Sequence, residues 1–189
     1  MNATRAYSLG ILAGGQGRRW HGRDKGLIAF NGKPLLADVC AATLATERLV
    51  CCRNNPRFYQ HYADRVLCEV MPDLGPCAGI TALLYAAATP DIIILPVDLM
   101  GAPLQVIKTL ETQWQQDDLA IVLTDSSGRH SPCLRLSIQL LDDCTAFVDS
   151  GGVKLKALLT SLNARAISVP DEWLANANTP ETLTTQGAI

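Results

Sequence analysis

Apolar positions along this chain fall into short, nearly unbroken runs. The segments 7–13 (YSLGILA), 48–52 (RLVCC), 64–70 (DRVLCEV), 91–98 (DIIILPVD) and 119–125 (LAIVLTD) are rich in Val, Ile and Leu, the composition of β-strands. Several are apolar at consecutive rather than alternate positions, which predicts parallel strands covered on both faces. Between them, residues 34–46, 77–88 and 103–115 carry apolar side chains at helical spacing. Alternating strands and helices predict a three-layer α/β domain with a mostly parallel central sheet, helices on both faces and right-handed crossovers. Further along, 132–136 reads as another strand followed by a helix to about Phe147. Residues 153–162 read as a helix, 164–169 as a strand, and the tail as a short helix after "NTPE". No internal repeat, low-complexity tract or linker interrupts the pattern, so a single domain over residues 1–189 is expected.

Composition narrows the possibilities. A chain that is 48% hydrophobic and 18% charged is globular rather than disordered. Its net charge of -2 gives no electrostatic case for binding long nucleic acid, so any basic site is local. "MNATRAYS" lacks the apolar region of a secretion signal, and no apolar run approaches the ~20 residues of a membrane span. A cytoplasmic protein without membrane contact is expected. The seven cysteines form no C-x-x-C pair and mostly sit among apolar neighbours, which reads as reduced thiols acting as small hydrophobes. His21, His61 and His130 are too scattered for a metal motif.

Candidate chemistry lies where strands end, because ligands of open α/β sheets sit outside the carboxyl ends of the strands. Directly after the first strand comes "LAGGQGRRWHGRDKG" (12–26), with Gly14, Gly15, Gly17, Gly22 and Gly26 among Arg18, Arg19, Arg23 and Lys25. It is not a P-loop, because Arg23 and Asp24 follow Gly22 where Lys and Ser/Thr belong. It is not a dinucleotide fingerprint either, because Trp20 stands at the third glycine. Glycines let main-chain N–H groups converge on phosphate oxygens, and the cations offset phosphate charge; a solvated loop is the plain alternative. Asp98, in "LPVDLM", closes an apolar strand and is placed to offer a hard oxygen to a divalent ion, or else serves as a turn or cap residue. "MPDLGPCAGI" (71–80) opens a helix with small residues that admit a flat base or sugar, or forms a simple strand-to-helix turn.

The run "LAGGQGRRWHGRDKGLIAFNGKPLL" resembles the opening signature of sugar-nucleotide pyrophosphorylase-like nucleotidyltransferases, and most closely that of the molybdenum cofactor guanylyltransferase family. The resemblance continues in order through "LGPCAGI", "LPVDLM", "RHSPCLRL", "SGGVKLKALL" and "NANTPETL". It implies a Rossmann-like nucleotidyltransferase domain that joins GMP from GTP to molybdenum-bound molybdopterin and releases pyrophosphate, with Mg2+ as cofactor. By position, it implies that Leu12, Ala13, Gly14 and Gly15 line the nucleotide and that Arg19 and Lys25 bind its phosphates. Gly22 shapes the loop, Asp73 and Gly75 face base and ribose, and Asp98 holds magnesium. Asn176 and Asn178 lie by the reacting groups, Asn178 as a second oxygen ligand of the metal. GTP and the molybdopterin acceptor are the implied partners, with molybdoenzymes or cofactor-delivery proteins beyond them, and a monomer is expected.

Three departures from the family pattern stand out. Trp20 replaces a methionine, the metal aspartate sits in Val97-Asp98-Leu99-Met100, and the asparagine after the second strand is replaced by Arg53 or displaced to Asn54 or Asn55. The alternatives are a cytidylyltransferase on the same pterin or another small phosphorylated acceptor, and a nucleotide-binding relative without turnover. "LAGG" favours the guanine branch by resemblance. A phosphate monoester is already an anionic nucleophile, so the chemistry requires positioning and charge neutralisation rather than a Ser, Cys or His nucleophile. In "NANTPETL", proline's preference for the first helical position makes Thr179 the expected cap and turns Asn178 toward Asp98.

Overall fold

A seven-stranded sheet runs through the computed structural model, which describes residues 6–14, 24–30, 32–42, 45–68 and 75–177. In chain order the elements are β1 (Tyr7–Ala13), β2 (Ala29–Phe30), β3 (Lys33–Pro34), α1 (Leu35–Ala41), β4 (Glu47–Cys52), α2 (Pro56–Tyr59) and β5 (Arg65–Cys68). Then follow α3 (Gly75–Ala86), β6 (Asp91–Pro96), α4 (Pro103–Thr112), β7 (Ala120–Thr124), β8 (His130–Ser137), α5 (Leu141–Asp149), α6 (Leu155–Ser161) and β9 (Arg165–Ser168). The sheet order is β5-β4-β1-β6-β8-β7-β9, and β2 and β3 form a separate small hairpin. β8 runs antiparallel to β6 and β7, while the other pairings of the large sheet are parallel.

The consecutive apolar runs have the expected cause. Along β6, Ile92 and Ile94 face one layer, and Ile93 and Leu95 the other. One layer is closed by Leu36 and Val39 of α1, Tyr59 of α2 and Val106, Ile107 and Leu110 of α4. The opposite layer is closed by Ile80, Leu83 and Leu84 of α3, Cys144 of α5 and Leu158 and Leu159 of α6. Burial on both faces supplies the main driving force for the fold. Six cysteines, Cys40, Cys51, Cys52, Cys77, Cys133 and Cys144, are buried free thiols, and Cys68 is an exposed one. No helix among the described residues is long and apolar enough to cross a membrane.

Several boundaries differ from the sequence pattern. The helix expected over 34–46 ends at Ala41, because the chain is drawn into the sheet where Thr46 N donates to Tyr7 O at 3.0 Å. The strand expected over 132–136 is longer, His130–Ser137, and antiparallel. Its direction is set by the turn after β7, where Asp125 Oδ1 accepts from the backbone N of Ser127 and Arg129 at 3.0 and 2.9 Å. The five residues 125–129 between the two strands are too few for a parallel crossover, so the reversal follows from the length of this link. The expected helix after "NTPE" lies outside the described residues.

Charged groups stitch the edge where the parallel strands begin. Glu47 accepts from Ser8 Oγ at 2.6 Å, Arg65 Nη2 at 2.7 Å and Ala88 N at 2.6 Å, tying β4 to β1, to β5 and to the turn before β6. Arg135 donates to Asp91 at 3.1 Å with both side chains almost fully buried. The Arg135 guanidinium also lies 4.6 Å from the Trp114 ring centroid and 5.7 Å from that of Tyr7, within cation–π range.

Candidate active site

The opposite edge of the sheet carries the site. From β1 the chain passes through α1 to β4 and β5 on one side, then returns through α3 to β6 on the other. β1 is therefore a topological switch point, where the crossovers diverge and leave a crevice beyond the strand ends. Leu12 pairs in register with Pro96, Ala13 pairs with Cys52, and Val97 N donates to Leu12 O at 3.0 Å. Leu12, Ala13 and Gly14 thus arrive at the crevice beside the turn that holds Asp98. That turn is clamped from outside: Ala177 N donates to the Asp98 carbonyl at 2.9 Å, and Leu99 forms an antiparallel bridge with Asn176. Seventy-odd residues of intervening chain separate partners that finish side by side.

Lys25 Nζ lies 2.6 Å from Asp98 Oδ2, with side chains 30% and 10% exposed respectively. Lys25 opens the single 3-10 turn Lys25–Leu27, capped by Asp24, whose Oδ1 accepts from Gly26 N at 3.1 Å. Asp24 is in turn held by the Tyr59 hydroxyl and by Asn55 Nδ2, the latter at 3.1 Å. Burial, and then the bond to Asp24, push the Tyr59 phenol far above its ordinary pKa, so it stays a hydrogen-bond donor. Gly26 is required by this packing, since a β-carbon there would lie 2.3 Å from the Tyr59 hydroxyl oxygen.

The donor set suits a hard divalent ion bound jointly with a nucleotide. No cluster of three or more His, Cys, Asp or Glu is present among the described residues, so the protein offers no closed metal cage there. It offers the Asp98 carboxylate and, on the strand bridged to Leu99, the buried Asn176 Oδ1, which has no hydrogen-bond partner. One or two protein oxygens completed by phosphates and water is the usual pattern for magnesium. Cys133 lies under the site, and burial pushes its thiol up to about 12, opposed by a Ser131 hydrogen bond and reinforced by the charge of Asp98. It is a buried thiol rather than a nucleophile.

Of the residues singled out in the sequence, Leu12, Ala13, Gly14, Lys25, Asp98 and Asn176 meet at this edge. Gly75 opens α3 with φ +65°, and a β-carbon there would lie 2.5 Å from the Val153 carbonyl oxygen, so a structural requirement for glycine exists apart from any ligand. Gly15, Arg19, Gly22, Asp73 and Asn178 lie outside the described residues, as do Trp20 and Thr179. Arg53 and Asn54 follow the end of β4, whereas the Asn55 amide is engaged with Asp24. Sequence reasoning missed the Asp24–Asn55–Tyr59 support of Lys25. The only signal in the sequence was the position of Asp24 directly before a lysine already suspected.

The fold and this edge are those of a nucleotidyltransferase. The MobA-like NTP transferase domain profile matches residues 9–167, and the chain belongs to that family. The molybdenum cofactor guanylyltransferase of Pseudomonas aeruginosa is 34% identical over 182 residues, covering 93% of this chain and 92% of that protein. Among solved structures, molybdopterin-guanine dinucleotide biosynthesis protein A from Archaeoglobus fulgidus superposes with a TM-score of 0.73 at 18% identity, covering 94% and 95% of the two chains. 2-C-methyl-D-erythritol 4-phosphate cytidylyltransferase from Thermus thermophilus does so with a TM-score of 0.69 at 18% identity, covering 97% and 98%. These two structures share the fold.

Proposed function

We propose that this chain transfers GMP from GTP to molybdenum-bearing molybdopterin, forming the guanine dinucleotide cofactor and pyrophosphate. The observation that carries the reading is the Lys25–Asp98 pair at the switch-point crevice of a chain in this family. In the reaction, an anionic oxygen of the acceptor's phosphate monoester forms a bond to the α-phosphorus of GTP. The bond from that phosphorus to the bridging oxygen breaks, and its electron pair leaves with pyrophosphate. No protein nucleophile is needed, so the residues act by positioning and by offsetting charge.

In this reading Leu12, Ala13, Gly14 and Gly15 line the nucleotide, and Asp73 and Gly75 face its base and ribose. Arg19 and Lys25 neutralise the departing pyrophosphate, and Gly22 shapes the loop they flank. Asp98 and Asn178 would hold Mg2+, which when bound supplies positive charge against the phosphate oxygens, and Asn176 would serve the reacting groups. With nucleotide bound, Lys25 would exchange its contact with Asp98 for one with phosphate, and the pair seen here holds both side chains at the crevice beforehand. The whole chain works as one domain and as a monomer.

The test is direct. Purified protein is incubated with Mg2+, molybdenum-loaded molybdopterin and each nucleoside triphosphate in turn, and the product is identified by mass. GTP is expected to be used at least tenfold better than CTP or ATP. A CTP preference would move the chain to the cytidylyl branch, and no dinucleotide from any triphosphate would overturn the transferase reading.

A further inference from the structure

After β9 the chain makes a short 3-10 turn, Asp171–Leu174, and then lies along the turn that follows β6. The contacts keep a single antiparallel register. Ala102 N donates to the Trp173 carbonyl at 3.2 Å, and Met100 N and Gly101 N donate to the Ala175 carbonyl at 2.9 and 3.0 Å. Leu99 bridges Asn176, and Ala177 N donates to the Asp98 carbonyl at 2.9 Å. The far end of this strap is held by Asp171, whose carboxylate accepts from Ser126 N at 2.8 Å and from Ser126 Oγ at 3.1 Å. Its near end delivers Asn176 to the Asp98 turn.

At Gly101 the strap and the turn touch backbone to backbone. A β-carbon there would overlap the carbonyl oxygens of Glu172 and Trp173, the latter at 2.5 Å. Both obstacles are main chain, which cannot swing aside as the tip of a side chain can. The φ of Gly101 is not positive, so the position demands space rather than a left-handed backbone. The turn itself has fixed ends. Leu95 of β6 before it is fully buried, and Val106, Ile107 and Leu110 of α4 after it lie in the core. Trp173 and Leu174 of the strap are only partly buried against that core, so the strap is the side that yields to an added atom. A slip of one residue would also turn each of its side chains to the opposite face. The bare backbone at Gly101 thus fixes both the distance and the register at which the strap meets Asp98.

We propose that Gly101 is a positioning residue for the transfer reaction. By admitting the strap's backbone it sets where Asn176 stands relative to Asp98, and where the chain departs toward Asn178. The inference rests on the transferase reading above, and Gly101 acts only through these neighbours. Gly101→Ala pushes the strap outward while Lys25 and β1, on the other side of Asp98, keep their places. A misplacement of about 1 Å remote from the chemistry can cost ~10² in rate, so a loss of this order is expected from a methyl group that meets no substrate.

The experiment compares wild type with Gly101→Ala and Asp171→Ala, each first checked by its thermal transition. Hydrogen–deuterium exchange is followed in residues 98–102 and 172–177, with β1 and β6 as internal references. Initial rates give kcat, the KM for GTP and the Mg2+ concentration for half-maximal rate. For Gly101→Ala, exchange is expected to quicken at least tenfold in those two segments and to stay unchanged in β1 and β6. Its kcat should fall at least tenfold and its Mg2+ requirement rise at least threefold, with the KM for GTP within twofold of wild type. Asp171→Ala frees the far end and leaves the clamp at Gly101, so its exchange quickens around 171–174 while kcat stays within threefold. A Gly101→Ala protein that keeps wild-type kcat and Mg2+ dependence per folded molecule, or wild-type exchange in the strap, would overturn the proposal and leave the transferase reading intact. A wild-type protein that forms no dinucleotide would overturn both. Should Gly101→Ala fail to fold, Trp173→Ala, which loosens the strap at the same point without overlap, decides by the same readouts: faster strap exchange with lower kcat supports the role, and faster exchange with wild-type kcat overturns it.

Discussion

Lys25 and Asp98 lie 73 positions apart in the chain, yet their charged atoms are separated by 2.6 Å. A carboxylate with a side chain only 10% exposed depends on its partner, because breaking a largely buried pair leaves a charge uncompensated. The two halves of the pair therefore respond differently to mutation. Lys25→Ala removes the partner of Asp98 and, in the proposed reaction, a donor to phosphate. The rate is expected to fall ~10²–10³-fold, by analogy with other lost donors to developing oxyanions, and the thermal midpoint to fall by several degrees at about 2–4 °C per kcal/mol. Asp98→Asn keeps an oxygen that accepts from Lys25, so its midpoint changes less while turnover falls at least as far. Turnover assays at saturating Mg2+ together with melting curves check both expectations. Near-normal activity of Asp98→Asn would remove that residue from the reaction.

The short 3-10 turn Lys25–Leu27 is too small to hold its own shape, and α2 holds it. Tyr59 and Asn55 both bond Asp24, and the Tyr59 ring lies where a β-carbon on Gly26 would need to be. Gly26→Ala is accordingly expected to cost ~1–3 kcal/mol, the usual range for overpacking a filled site, and to lower activity by displacing Lys25. Tyr59→Phe removes one hydrogen bond and keeps the ring, so its cost is nearer ~1 kcal/mol. Urea denaturation of the two variants tests the order. Equal or reversed losses would mean that the Tyr59 hydroxyl, and not the volume of its ring, supports the turn.

Across the molecule, the two edges of the sheet do different work. Where the parallel strands begin, Glu47, Asp91–Arg135 and Asp118–Arg165 bind neighbouring strands and turns together. Where they end, the Lys25–Asp98 pair lies at the switch-point crevice to which the proposed function assigns the nucleotide. Burial by itself would raise the Glu47 and Asp118 carboxyls. Hydrogen bonds outweigh it, from Ser8, Ala88 and Arg65 for Glu47 and from Arg165 and Gln115 for Asp118, and hold both below their ordinary values of 4.5 and 3.8. A carboxyl whose pKa is lower when folded contributes stability above its unfolded value and loses it as pH falls through the folded one. The thermal midpoint should thus hold steady above about pH 5 and decline below about pH 4.5 as these groups take up protons. Glu47→Gln should reduce the acid-side decline. A midpoint that begins to fall well above pH 5 would point to a different titrating group.

Much of this was legible in the chain. Consecutive apolar residues such as Ile92–Ile93–Ile94 dictate strands covered on both faces, because each side chain must find a layer to enter. Local order also places Asp98 just beyond such a strand and Lys25 just after a glycine-rich stretch, which marks both as candidates. Long-range pairing was not legible. The reversal of β8 is the exception: only residues 125–129, Gly128 among them, separate it from β7, too few for a parallel crossover. The support of Lys25 by Tyr59 and Asn55 comes from α2, some thirty residues away, and no periodicity connects them. The segment after β9 returns past β7 and β8 to bridge Leu99 beyond the end of β6, a meeting that no local pattern announces. Local sequence sets which residues prefer a strand, a helix or a turn, whereas the sheet order determines which strand ends become neighbours, and the site is built from those neighbours.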